Sequence, residues 1–256
     1  MHFSIVPGAV ITPSLGTEQH APLRRQRVLL PEQGGVGKLP LPVIHQGALP
    51  ICTGVAAANA RTILQYQQTG RIIPFSGLFI YKMNRLFDGL DKDARGSTLA
   101  ASMQTLLYKG VCPEMFYPSN QRNCQKPFPA NGQSLLKNAQ PYRIADYQPC
   151  EYLTDILTAL AQEHPVAFSM VIYTDFYQAR QGVVPDKRQG RRIGGHSMVA
   201  VNYDLNREWV QVLQSWGRGK NGPTDGGYMY IPFSWFNLRD TLTEHSVLIE
   251  AFALRA

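Results

Sequence analysis

Residues 52–68 read CTGVAAANARTILQYQQ and predict a long helix at the centre of the fold. Apolar side chains recur between Val55 and Leu64 at the spacing of one helix face. Alanine favours helix formation, and its small side chain lets a helix pack closely against its neighbours. We therefore expect this helix to be buried within a domain.

The rest of the chain divides into a helical part and a strand-rich part. Helical patterns cover residues 76–87 and 151–163, and a further helix begins at Ser97 or Thr98 as N-cap and ends at Gly110. Beyond residue 140, apolar and alternating runs predict antiparallel strands over residues 165–173, 197–203, 208–214, 227–231 and 245–254.

This pattern predicts an α+β fold in a single domain, residues 1–256. We expect an extended N-terminal segment (1–40), a mainly helical subdomain (41–140) and a mainly β subdomain (141–256) that forms a sheet or a barrel-like structure. A cleft between the subdomains is the expected ligand site. The N-terminal segment is predicted to be extended because it is rich in Gly and Pro and shows little periodicity. We expect its basic residues Arg24, Arg25 and Arg27 to lie at the surface.

Composition excludes several classes of protein. The 256 residues are 44% hydrophobic and 17% charged, which excludes collagen, coiled coils and wholesale disorder. The apolar runs fall short of the roughly 20 residues that cross a bilayer, so we expect a soluble protein without membrane insertion. The net charge of +7 is scattered and accompanies no nucleic-acid motif. Residues 1–16 do not resemble a signal peptide, yet export stays open as an alternative.

Cys52 and His196 are the first chemical candidates. A thiol at a helix N-terminus is favoured as a thiolate, which is the nucleophilic form, although a lone cysteine is more often an apolar core residue. His196 follows Gly194 and Gly195 and lies at the entry to the strand predicted over residues 197–203. A cysteine that opens a helix and a histidine that opens a distant strand together favour nucleophilic catalysis.

Three motifs then resemble those of the papain-like cysteine peptidases, bacterial members in particular. The first is QGALPIC at residues 46–52, with the glutamine six positions before the cysteine. The second is GGHSMVAVNYD at residues 194–204, and the third is QSWG at residues 214–217 followed by DGGYMYIP at residues 225–232. Their order along the chain is that of the family.

The resemblance implies a papain-like fold and a thiol protease with a catalytic triad and an oxyanion hole. Cys52 would be the nucleophile, His196 the base, Gln214 the residue that orients the histidine, and Gln46 the oxyanion donor. Trp216 would shield His196 from water beside the substrate.

The resemblance assigns the substrate-binding residues of the cleft less specifically than the catalytic ones. Gly96 and Gly195 would lie along a peptide substrate, with Gly96 pairing through its backbone, and Ser169 would line the pocket for the substrate's second side chain. For Gly96, a turn before a helix is an equally good interpretation.

Gln214 replaces the asparagine of the family. Glutamine carries the same amide one methylene further out, so weakened or retuned catalysis is expected. Two alternatives to a peptidase therefore stay open: a deamidase or transglutaminase-like acyl transferase, and a peptide-binding pseudoenzyme whose His196 is misaligned.

The remaining features are less specific. Cys112, Cys124 and Cys150 permit one disulfide at most. The basic residues Lys187, Arg188, Arg191 and Arg192 form a solvated loop or attract acidic substrates. No spacing indicates a metal site or a phosphate-binding loop, so we expect no metal and no other cofactor, a protein or peptide substrate, no nucleic-acid partner and a monomer.

Overall fold

The computed structural model describes Ala9 and residues 29–90, 95–129, 132–218 and 223–256. The basic residues Arg24, Arg25 and Arg27 lie outside the described residues, so their predicted surface position stays a prediction. Within the described residues, no helix is both long and apolar enough to cross a bilayer.

Seven α-helices lie in the described part of the chain, most of them before the main strands. They are α1 (Cys52–Thr69), α2 (Gly77–Asn84), α3 (Leu99–Tyr108), α4 (Gln121–Gln125), α5 (Gln133–Ala139), α6 (Leu153–Ala161) and α7 (Phe233–Phe236). Short 3-10 helices cover Gln140–Tyr142 and Thr174–Gln178.

Side-chain caps explain where two of these helices begin. The Ser76 hydroxyl accepts a hydrogen bond from the backbone N–H of Phe79 at the start of α2, and Thr98 accepts one from Ala101 at the start of α3. Thr98, one of the two predicted N-caps, is therefore the cap. Helix α1 ends at Thr69, and the next residue, Gly70, caps it in the left-handed conformation with φ of 65°.

Helix α1 is buried from Cys52 to Gln65, as its alanine-rich sequence predicts. Its backbone approaches α2 so closely that a Cβ added to Gly54 would lie 2.2 Å from the carbonyl oxygen of Gly77. A glycine at this position therefore allows the two helices to touch, and it seats the N-terminal turn of α1 deep in the protein.

In the described ranges, seven strands form one sheet, and every pairing between them is antiparallel. The strands are β1 (Gln33–Gly35), β2 (Asp146–Pro149), β3 (Val166–Tyr173), β4 (Arg192–Asp204), β5 (Trp209–Leu213), β6 (Tyr228–Pro232) and β7 (Leu248–Arg255). Their order is β2-β7-β3-β4-β5-β6, and β1 pairs with the end of β4.

The α+β class is confirmed, but the sheet is open, so the predicted barrel-like closure is wrong. Among the described residues its order ends at β2 on one side and at β6 on the other, and these two strands do not pair. One hydrophobic cluster surrounds α1, α2 and α3, and a second lies between the sheet, α6 and α7. Helix α1 packs on β4, which brings the beginning of α1 and the histidine strand into one region of the fold.

Candidate active site

Cys52 is the first residue of α1 and is fully buried. The exposed N–H groups of a helix N-terminus give this end partial positive charge, which favours a thiolate. The other three cysteines lack that position. Burial raises the pKa values of Cys112 and Cys150 to about 12, so both stay protonated at neutral pH. All four cysteines are thiols, and the one possible disulfide is not formed.

His196 lies on β4 and is also fully buried. Its Nε2 atom is 2.9 Å from Oε1 of Gln214, so the longer side chain of glutamine does reach the imidazole. Burial lowers the pKa of His196 to about 4, and the hydrogen bond with Gln214 opposes this shift. Because burial holds this pKa well below 7, the ring is neutral at pH 7. A neutral imidazole can accept a proton, which is what a general base must do.

Trp216 stacks on His196 and covers one face of the imidazole. The two ring centroids are 5.0 Å apart, with an angle of 28° between the ring planes. Trp216 is itself buried and also contacts the ring of Tyr177. The tryptophan therefore contributes to the desolvation that keeps the imidazole uncharged.

Gln46 is hydrogen-bonded to Ser215, which lies between the two partners of His196, Gln214 and Trp216. Its backbone N–H donates to the carbonyl oxygen of Ser215 at 2.9 Å, and its Oε1 accepts a hydrogen bond from the Ser215 hydroxyl. Its Nε2 donates to the carbonyl oxygen of Leu49 at 2.9 Å. An amide nitrogen has two hydrogens, so one N–H of Gln46 can still be donated to an oxyanion.

Gly195 and the segment around Gly96 lie on either side of Ala9. The N–H of Ala9 donates to the carbonyl oxygen of Gly195 at 3.2 Å, and Ala9 also forms a β-bridge with Ser97. Gly96 has a φ of 100°, a conformation that favours glycine. Ala9 of the chain itself therefore occupies backbone positions beside the two predicted substrate-binding glycines.

Ser169 is buried on β3, where its hydroxyl lies 2.7 Å from that of Ser197 on β4. On its other side Ser169 pairs in the sheet with Glu250 of β7. Oε2 of Glu250 accepts a hydrogen bond from the N–H of Leu99 at 2.8 Å, whereas Oε1 is buried without a partner among the described residues. Burial raises the pKa of Glu250 to about 7, although the N–H groups at the start of α3 lower it.

Two of the four basic residues predicted in a loop are bound to the protein itself, and one of them, Arg192, is the first residue of β4. Arg192 forms a salt bridge of 2.9 Å with Asp240, and Arg188 donates to the carbonyl oxygen of Arg239 and packs on the ring of Tyr173. The side chains of Arg188 and Arg192 thus have partners within the protein. In the described part of the chain, no group of three or more His, Cys, Asp or Glu residues is arranged to hold a metal ion.

Three buried side chains near the site, those of Met198, Met229 and Glu250, were not predicted from the sequence. Met198 could have been predicted from the sequence. It follows His196 by two residues on the same strand, and strand alternation places both side chains on one face of the sheet. Glu250 is a single carboxylate in the apolar run VLIEAFAL (residues 247–254), which is itself a signal. Met229 has no comparable signal, because its neighbours come from other strands.

A sequence model described as "Papain family cysteine protease" matches residues 52–236. The "Uncharacterized peptidase C1-like protein L477" of Acanthamoeba polyphaga mimivirus is 28% identical over 202 residues, which cover 73% of this chain and 65% of that protein. "Cathepsin B-like cysteine proteinase 3" of Caenorhabditis elegans is 26% identical over 110 residues, or 41% of this chain and 29% of that protein. The chain thus spans less than two thirds of either relative.

Solved structures are similar over nearly the whole chain. The cysteine protease xylellain from Xylella fastidiosa has a TM-score of 0.79 at 21% identity, and the aligned region covers 99% of this chain and 97% of the xylellain chain. The procathepsin B of Trypanosoma congolense has a TM-score of 0.68 at 18% identity, with 98% and 87% covered. At these identities the likeness shows the fold.

Proposed function

Because the chain belongs to the papain family of cysteine proteases, we propose that it is a cysteine endopeptidase that hydrolyses peptide bonds through an acyl-enzyme on Cys52. The observation that carries the proposal is the hydrogen bond of 2.9 Å between His196 and Gln214, which lies under Trp216 and beside the Gln46–Ser215 pair. The misalignment that a pseudoenzyme requires is thus not supported, since Gln214 reaches its target.

In the first half of the proposed reaction, Nδ1 of His196 takes the proton of the Cys52 thiol. The thiolate then attacks the carbonyl carbon of the scissile peptide bond, and the carbonyl electron pair moves onto oxygen. The free N–H of the Gln46 side chain and the backbone N–H of Cys52 stabilise this oxyanion. As the C–N bond breaks, Nδ1 returns its proton to the leaving amine, and a thioester remains on Cys52.

In the second half, His196 takes a proton from a water molecule, which attacks the thioester. A second tetrahedral intermediate forms in the same oxyanion hole and collapses to the carboxylic acid. The proton held by His196 returns to the Cys52 sulfur, which restores the starting state. Throughout both steps, Gln214 accepts the Nε2–H of the imidazole and holds the ring in place.

Site-selective labelling tests this proposal. An epoxysuccinyl peptide inhibitor is incubated with the wild type, with Cys52→Ala and with Cys112→Ala, and the modified residue is identified by mass spectrometry. We expect rapid labelling of Cys52 in the wild type and in Cys112→Ala, because burial keeps the Cys112 thiol protonated and inert. Labelling of Cys52 no faster than that of Cys112, Cys124 or Cys150 would contradict an activated nucleophile.

Turnover of a fluorogenic peptide, followed together with ammonia release, decides the reaction type. Backbone cleavage without ammonia is the expected result, and it should be lost in Cys52→Ala and retained in Cys112→Ala. Ammonia release from glutamine side chains without backbone cleavage would instead select a deamidase.

A further inference from the structure

The amide of Gln214 is enclosed by three buried side chains. Its oxygen faces Nε2 of His196, and its nitrogen lies 2.8 Å from the sulfur of Met198 and 3.3 Å from the sulfur of Met229. All four residues are almost completely buried. No charged side chain takes part in these contacts, so the orientation of the amide depends on what the two sulfurs can accept.

Thioether sulfur accepts hydrogen bonds weakly and donates none, whereas the two ends of an amide differ. Only the NH₂ end can donate to the sulfurs, so the carbonyl end must face the imidazole. A carbonyl oxygen accepts only, and the proton of a neutral His196 therefore resides on Nε2. Nδ1, which is buried with no hydrogen-bond partner among the described residues, is then left with its lone pair.

Rotation of the amide by 180° would reverse this assignment. The NH₂ group would donate to Nε2, the imidazole proton would move to Nδ1, and Nδ1 could no longer take a proton from a thiol. The terminal torsion of glutamine is broad and roughly two-fold, so rotamer preference alone does not select between the two orientations. The glutamine backbone is fixed, since its N–H donates to the carbonyl oxygen of Gly227 at 2.9 Å.

We propose that Met198 and Met229 are positioning residues that select the orientation of the Gln214 amide and thereby place the proton of His196 on Nε2. The sheet builds this arrangement: β4 puts Met198 on the same face as His196, and β6 brings Met229 opposite Val212, two residues before Gln214. The consequence for catalysis rests on the proposed function, because the tautomer affects turnover only if His196 takes the Cys52 proton.

The tautomer itself is measured without turnover. In the Cys52→Ala background at pH 7, ¹⁵N NMR of the His196 ring reports which nitrogen carries the proton. We expect the Nε2–H form with Met198 and Met229 present, and a mixture of both forms when both methionines are replaced by leucine. Leucine has a similar volume and no acceptor, and such swaps cost little stability. Met103→Leu, at an equally buried methionine in α3, is the matched control.

A double-mutant cycle separates positioning from packing. With Gln214 present, replacing Met198 and Met229 together by leucine should shift the balance of amide orientations about 25-fold, because each lost hydrogen bond changes it about fivefold. The value of kcat should then fall in proportion to the fraction of His196 that the ¹⁵N spectrum shows in the Nδ1–H form, with KM within about twofold. In a Gln214→Leu background, which has no amide to reorient, the same replacements should leave both the ¹⁵N shifts of His196 and kcat unchanged. An equal loss of kcat in both backgrounds would overturn the proposal, since packing alone would then explain it.

The two proposals can fail separately. If the wild type neither cleaves peptides nor labels at Cys52, but the ring tautomer shifts in the methionine variants, the peptidase assignment fails and the positioning role stands. If the ¹⁵N shifts of His196 stay the same after both replacements, the positioning role is wrong whatever the enzyme does. Should the double variant fail to fold, Met198→Leu alone carries the measurement, because Met198 makes the shorter contact.

Discussion

Replacement of Glu250 by glutamine should remove a pH dependence from the stability of this protein. Glu250 is 8% exposed, and its pKa rises from 4.5 to about 7, mainly because burial disfavours the charged form. Between these values the folded protein holds a proton that the unfolded chain has released. The free energy of unfolding therefore falls as the pH rises from about 4.5 through about 7.

The size of this effect follows from the pKa values. One pKa unit corresponds to about 1.4 kcal/mol, so the rise from 4.5 to about 7 is equivalent to about 3 kcal/mol at most. Glutamine keeps an oxygen that can accept the N–H of Leu99, and it does not ionise. Relative to the wild type, we expect Glu250→Gln to gain up to about 3 kcal/mol of stability between pH 4.5 and pH 8.

Urea unfolding followed by tryptophan fluorescence at several pH values between 4.5 and 8 measures this gain. Glu151→Gln is the control, because Glu151 is exposed. If the wild type and Glu250→Gln lost stability in parallel as the pH rises, the carboxylate of Glu250 would not be the cause of the pH dependence.

Four further predictions concern the site and its support. Gln46→Ala should lower kcat for peptide cleavage by about 10² to 10³, because one oxyanion donor is lost; unchanged turnover would remove Gln46 from the mechanism. Trp216→Ala should raise the pKa of His196 from about 4 towards 6.5, since water then reaches the ring, and an NMR titration that still gives a value near 4 would argue against the shielding role. Ala9→Pro lacks the N–H that bonds to Gly195, so inhibitor labelling of Cys52 should become about fivefold faster; Ala9→Ser keeps that N–H, and equal labelling rates in both variants would show that the Ala9 hydrogen bond does not compete with the inhibitor. Gly54→Ala should lower the free energy of unfolding by about 1 to 3 kcal/mol, because its Cβ would overlap the Gly77 carbonyl; a urea midpoint equal to that of the wild type would show that α1 and α2 can separate freely.

Much of the fold could be predicted from local patterns. The helix that begins at Cys52 ends at Thr69, within one residue of the predicted end. Its apolar periodicity and the glycine that follows it are both features of the local sequence, so they could be recognised without the fold. The strand that carries His196 was expected to begin at Ser197, but it extends back to Arg192, since backbone pairing with β3 includes Gly194 and Gly195. Strands β1 and β2 are short and lack an apolar pattern, so only their partners reveal them.

The α+β class, the family resemblance and the site candidates could be inferred from the amino-acid sequence, because they depend on periodicity, spacing and residue chemistry. These candidates are Cys52, His196, Gln214 and Gln46. The folded arrangement was needed to see that the sheet stays open, that Gln214 reaches His196, and that two methionines and a buried glutamate lie beside the site. These features could not be inferred earlier because they are contacts between strands far apart in the chain. Desolvation, hydrogen-bond partners and the direction in which an amide faces exist only once those strands have met.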